Sequence, residues 1–283
     1  MDIKLVKKLR EETGAGMLEI KQALIQFEND YDKALAHLKT NIKKEDGNQR
    51  VASKGMCHIN IKDDEAILFE VNAETDFVTK NEAFVTLVNK LGHHLIKTDV
   101  TNAKSALKEN IDGVKIEDII TQTSGIVSEN IKLRRFYRVK KEANQGFGSY
   151  THMQGKLVTL VVLNKVNHDL ANILAMQVAA MSAEYLALEF IDQDTMNYEK
   201  FMYEKTHGSF DEEGFMAELK AKTLLSQPYI KDPSLIVENL LNKHDMKIID
   251  FFKFELGQGI DNKLNCRLDI PCDGSKITVT PIY

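Results

Sequence analysis

The sequence predicts an α+β protein: a small three-helix module, then a core of two α+β subdomains with a helical hairpin inserted in the second. Three observations predict it. Residues 2–44 hold only helix-period apolar stripes; two later sections each pass from β-rich runs into an amphipathic helix; and residues 192–226 return to charged helical sequence, broken at His207-Gly208-Ser209. At 283 residues, with 43% hydrophobic and 28% charged side chains, the chain can bury a sizeable core in more than one compact unit.

The first module reads as Ile3, Val6 and Leu9, then Met17, Ile20, Leu24 and Phe27, then Tyr31, Leu35, Leu38 and Ile42, each set on one helix face. Thr13-Gly14-Ala15-Gly16 separates the first two helices, and Asn29-Asp30 caps the third. Residues 1–44 thus form a bundle with a thin core. The run KKEDGNQRVASKG has no apolar face and makes 45–55 a linker.

The core begins with MCHINI (56–61) and AILFEVNA (66–73), a hairpin turning at Lys62-Asp63-Asp64-Glu65. The loop ETDFV (74–78) leads to a helix with Phe84, Leu87, Val88, Leu91 and Leu95 on one side. Residues 101–130 are expected to be helical around Ile116, Ile119, Ile120 and Val127, with breaks at Gly113 and Gly125. IKLRRFYRVKK (131–141) and KLVTLVVLN (156–164) are expected to flank a Gly-rich turn, NQGFGSYTHMQG, before the helix DLANILAMQVAAMSAEYL (169–186). Hairpin plus helix therefore occurs twice, without the identity that would make a repeat. The two halves span 56–96 and 131–186, and 192–226 is a helical hairpin projecting from the body or packed along it. QPYIKDPS, with two of the four prolines, is expected to be irregular. The helix LIVENLLNKH (235–244), the strand KIIDFFKFEL (247–256) and a tail, 261–283, alternating around Asp273-Gly274, complete the chain.

A net charge of −5 and a pI of about 5.9 argue against broad attraction to nucleic acid or anionic membrane. Cys57, Cys266 and Cys272 fit a reducing compartment better than a disulfide framework. The N-terminus is amphipathic and charged, and no window approaches the ~20 apolar residues of a membrane span, so a cytoplasmic protein is expected.

Motifs for chemistry are decoys. TGAG lacks a preceding strand and a following GK[ST]; GFGSY (146–150) lacks the strand–GxGxxG–helix context and reads as a hairpin turn. His93-His94 are adjacent and cannot share a helix face, there is no HExxH or GxSxG, and the acidic runs at 63–65 and 211–213 read as solvated turns. No enzyme activity, metal or cofactor is expected. The strand 131–141 interleaves Lys132, Arg134, Arg135, Arg138, Lys140 and Lys141 with Phe136 and Tyr137, the best nucleic-acid candidate in the chain; the plainer reading is a strand with its basic residues outward. The loop ETDFV places an acid beside a large aromatic between two regular elements. Phe77 either folds back as a local plug or serves another molecule.

Two stretches resemble the signatures of the elongation factor Ts family, the exchange factors of elongation factor Tu: LVKKLREETGAGMLEIKQAL (5–24) and EVNAETDFVTKNEAF (70–84). SENIKLRR, GSYTH, AMQVAAM, QPYIKDPS and FFKFELGQGI follow in order, so the resemblance covers roughly residues 2–260. It implies that residues 1–44 are a ubiquitin-associated-like module, and that the protein binds elongation factor Tu, in GDP-bound and nucleotide-free forms, to promote GDP release. Carried over, Asp76 and Phe77 enter the partner's GTPase domain near its Mg²⁺, the aromatic as a wedge. Arg10, Met17, Leu18 and Lys21 grip a helix of that domain. Two contact positions are altered: an Ile-Gly pair is Val127-Ser128 here, and a His is Gln177. The family's acidic, alanine-rich C-terminal helix is not recognisable after Gly259. A homodimer through the helical hairpin is a further expectation, whereas membrane and direct nucleic-acid binding are not. The rival readings are a non-catalytic ubiquitin-associated-like adaptor and an RNA-binding protein using 131–141.

Overall fold

The structure, a computed structural model, describes residues 5, 6, 8, 9, 12, 17–44 and 52–258, without the side chains of 17–19 and 39–44. The Ile3, Met17 and Ile42 side chains and the tail at 261–283 lie outside the described residues. The chain divides into two compact units, residues 1–139 with 255–283, and residues 140–254.

In the first unit, helices α1 (Met17–Gln26) and α2 (Tyr31–Lys44) are built on the expected spacing, and residues 5, 6, 8, 9 and 12 are also helical. Val6, Leu9, Ile20, Leu24, Ala34 and Leu38 are buried together. Asp30 accepts the Lys33 amide hydrogen through Oδ1 at 3.1 Å, which starts α2.

Strands β1 (Lys54–Lys62) and β2 (Glu65–Ala73) pair antiparallel from Lys54↔Ala73 to Lys62↔Glu65, turning on Asp63, whose φ of 53° is left-handed. Nearly every β2 residue is buried. Ile67, Phe69, Val71 and Ala73 face a core with Phe84, Leu87, Val88 and Leu91 of helix α3 (Glu82–Leu95).

Residues 101–130 depart from the expected helix. A short helix α4 (Ala103–Ala106) is followed by a two-stranded ladder, β3 (Asn110–Ile111) with β4 (Val114–Lys115), and then helix α5 (Ile116–Val127). Gly113 belongs to the turn of that ladder, at φ 83°. Gly125 lies inside α5, which ends instead at Ser128, left-handed at φ 57°.

Strand β5 (Lys132–Lys140) joins the first sheet in the order β1-β2-β5 and does not pair with 156–164. The reason is electrostatic. Glu70, on β2, has no exposed surface, and its carboxylate accepts from Arg134 Nη1 and from Arg135 Nε. Asn72 Nδ2 and the Gly257 amide also donate to it, while Arg134 and Arg135 bond the carbonyls of Gln258 and Glu255. Burial alone would push the Glu70 carboxyl up; the Arg135 and Arg134 guanidiniums and the donated hydrogen bonds outweigh it and hold the carboxyl below its ordinary range.

In the second unit, β6 (Gly146–His152) pairs with β7 (Leu157–Leu163), and with β10 (Ile248–Glu255) they form a sheet in the order β10-β7-β6. GFGSY is therefore strand, not turn. Its glycines serve packing: a Cβ on Gly148 would come 2.0 Å from the Ala171 carbonyl carbon of helix α6 (His168–Ala180). The hairpin instead turns at Met153–Gln154, both at positive φ. Helices α7 (Gln193–His207) and α8 (Glu212–Lys222) pack through Tyr203 and Phe215, with ring centroids 5.7 Å apart. Both are rooted on Glu199, which accepts from Tyr185 Oη and Lys222 Nζ. QPYIKDPS is more regular than its prolines suggest: β8 (Pro228–Tyr229) and β9 (Asp232–Ile236) pair with a bulge, and helix α9 (Val237–Lys243) follows.

Removing one partner of a buried ion pair leaves the others uncompensated, so Glu70→Ala should lower unfolding free energy in urea by about 3–5 kcal/mol. Because the folded pKa lies below the unfolded one, the Glu70 contribution is complete above about pH 4.3 and is lost as pH falls through the folded value. The fall in urea midpoint from neutral to acid pH should be shallower in Glu70→Gln.

Candidate functional site

The loop after β2 is a single 3-10 turn, Asp76–Lys80. Three local interactions shape it. The Asn81 amide donates to the Val78 carbonyl at 2.9 Å, Thr79 Oγ1 donates to the Asp76 carbonyl at 2.7 Å, and Asn81 Oδ1 accepts the Ala83 amide to start α3. Within the turn the side chains divide sharply. Val78 is 3% exposed and belongs to the core, whereas Phe77 is 76% exposed and Asp76 is exposed beside it. The local plug is therefore Val78. Phe77 projects from a turn closed at both ends, an acid and an aromatic ring offered to solvent on a fixed base.

That base is held across the chain. Thr75, extended at φ −123°, makes no side-chain cap for its own turn. Its amide and its hydroxyl both donate to the carboxylate of Glu129, and the Asn130 amide donates to Glu74 Oε1 at 3.3 Å. Residues 74–75 and 129–130, each at a strand end, thus clamp each other. Val127 and Ser128 immediately precede the clamp: Val127 is half-buried against the core, and Ser128 is exposed at the left-handed end of α5. Ile126 beside them is 63% exposed. Glu74, Glu129 and Ile126 were not among the candidates read from sequence. Ile126 had a signal, an apolar residue off the buried stripe of α5; the two acids had none, since their contacts span more than fifty residues.

The remaining candidates fall elsewhere. Lys21 is exposed on α1; Arg10 and the side chains of Met17 and Leu18 lie outside the described residues. Gln177, on α6, has no exposed surface: Nε2 donates to Gln227 Oε1 and the Pro228 carbonyl, and Oε1 accepts the Ile230 amide. It holds residues 227–230 against α6, a role an uncharged amide with both donor and acceptor fills well. As it stands it cannot touch another molecule.

The basic strand also has internal work. Arg134 and Arg135 close on Glu70, and Arg138, 3% exposed in its side chain, bonds Glu65 and the carbonyls of Val100 and Leu95. Phe136 is buried. The arginines on which the RNA reading depended are engaged within the fold, with the buried Glu70, the partly buried Glu65 and backbone carbonyls. Among the described residues, no group of three or more His, Cys, Asp or Glu is placed to hold a metal, and no helix is long and apolar enough to cross a membrane.

Residues 74–258 match the family described as Elongation factor TS. The chain is 34% identical over 281 residues to the curated Elongation factor Ts of Acholeplasma laidlawii (strain PG-8A), covering 92% of this chain and 94% of that protein.

Exposure makes the two neighbours in the turn separable. Phe77→Ala should leave the thermal midpoint near wild type, whereas Val78→Ala should cost about 1.5–3 kcal/mol in a urea titration. Ser128→Gly, which relieves a left-handed side chain, should stabilise by about 0.5–1 kcal/mol in the same measurement.

Proposed function

Because the chain belongs to the elongation factor Ts family of translation elongation factors, we propose that it binds GDP-bound elongation factor Tu, stabilises the nucleotide-free form and so promotes GDP release and GTP reloading. The observation that carries this reading is the outward Phe77 on its closed turn with Asp76 beside it. A guanine nucleotide is held by backbone amides at a loop and helix N-terminus together with Mg²⁺. A ring pushed between the partner's helices displaces that cradle, and a carboxylate near the metal competes for it. The exchange factor itself performs no covalent chemistry and needs no cofactor.

Binding must favour the partner conformation that holds GDP poorly, and by linkage whatever factor the protein weakens GDP by, GDP weakens the protein's binding equally. On this reading residues 1–44 are a ubiquitin-associated-like module, and Arg10, Met17, Leu18 and Lys21 grip a helix of the GTPase domain. Val127 and Ser128 border the wedge, and Gln177 contributes only by holding 227–230 in place. The subdomains are 56–145 and 146–186 with 227–260, and the hairpin 187–226, with Phe201 and Phe210 exposed, suits a homodimer. The protein works in the cytoplasm.

The test is release of labelled GDP from purified elongation factor Tu at substoichiometric protein. Acceleration is expected, and Phe77→Ala should reduce it by roughly 10- to 100-fold, the equivalent of one buried aromatic side chain. Tight binding to elongation factor Tu without acceleration by the unmodified protein would make it the non-catalytic adaptor instead.

A further inference from the structure

Resting on the wedge reading, we propose that Glu129 is a positioning residue for nucleotide exchange, setting the direction in which Asp76 and Phe77 are presented. Glu129 is hydrogen-bonded to Thr75 and not to either side chain of the pair. Its carboxylate accepts both hydrogens that Thr75 offers, the amide to Oε2 at 2.9 Å and the hydroxyl to Oε1. Thr75 is the residue on which the 3-10 turn begins, so its orientation sets the axis of the turn. A single hydrogen bond leaves a residue free to pivot about it. Two, from backbone and side chain of one residue to the two oxygens of one planar group, do not.

The reverse contact, Asn130 amide to Glu74 Oε1, holds the opposite side of the same junction. The pair of contacts joins the residue before Thr75 to the residue after Glu129, so the turn is referenced to the start of β5 as well as to the end of β2. The core does not need Glu129. Ala73 before the junction and Val78 after it are buried in the core, while Thr75 and Glu129 are only half-buried. Losing the carboxylate therefore frees the turn without dissolving the sheet.

The double-mutant cycle between Glu129→Ala and Phe77→Ala in the GDP-release assay tests this. Glu129→Ala alone should lower the exchange rate about tenfold or more, and Glu129→Gln, whose amide oxygen can accept the Thr75 N–H while its NH2 donates to the Thr75 hydroxyl, should recover most of it. In the Phe77→Ala background Glu129→Ala should cost much less than in wild type, what remains passing through Asp76. Hydrogen exchange supplies a readout independent of activity: the Thr75 amide should lose protection in Glu129→Ala while the β1–β2 ladder amides keep theirs. If Glu129→Ala does not fold, Thr75→Val removes only the hydroxyl contact and runs the same cycle. Effects that add in the double mutant, or a Glu129→Ala rate equal to wild type, overturn the positioning role alone. An unchanged rate in Phe77→Ala brings down the wedge reading, and the positioning role with it.

Discussion

The buried carboxylate of Glu70 is the constraint on which the first unit depends. Removing a carboxylate from water costs several kcal/mol, recovered only when opposite charge and hydrogen bonds surround it. Here the surrounding groups come from three places: Asn72 on the same strand, Arg134 and Arg135 on β5, and the amide of Gly257. None can be misplaced without leaving charge unpaired. The network therefore fixes β5 beside β2 and brings residues 255–258 back to the sheet.

That constraint reaches the candidate site through the strands. β2 runs directly into Glu74 and Thr75, and only Ile131 separates Glu129 and Asn130 from the start of β5. Once Glu70 holds the two strands together, their ends are neighbours, and the short contacts between Thr75 and Glu129 form with little further ordering. A half-exposed clamp of this kind is weak alone. On a sheet already fixed by a buried ion network its work is directional, and it needs to supply little stability.

How much of this was legible follows from the range of each interaction. The β1–β2 hairpin and α3 were readable because alternation over 56–73 and three- and four-residue spacing over 84–95 are local signals. The same locality misled at β5. Adjacency in sequence suggested pairing with 156–164, whereas Glu70, more than sixty residues earlier, recruits it to the first sheet. Its arginines looked like a phosphate-binding stripe because the acid they neutralise sits in an otherwise apolar strand. Glycine gave a second kind of error: Gly148 signalled a turn, but its missing Cβ makes room for the Ala171 backbone. Phe77 was legible as an oddity only. Sequence could place it on a turn but could not say that Val78, one residue on, would occupy the core in its stead.

That substitution of roles explains why an exposed phenylalanine is tolerated. An aromatic on a mobile loop would spend much of its binding energy on becoming ordered, about 0.5–1.5 kcal/mol for each immobilised side chain and more for the backbone. With Val78 anchored, Asn81 closing the turn and Glu129 holding its start, the backbone part of that ordering is already met in the free protein. For an exchange factor the saving has a specific use. Only interaction energy that differs between the partner's nucleotide-bound and nucleotide-free conformations shifts the balance toward release. A ring that binds by first ordering its own loop draws that cost from the difference. On the proposed reading, a ring carried on a turn already fixed leaves more of its buried area available to move the partner.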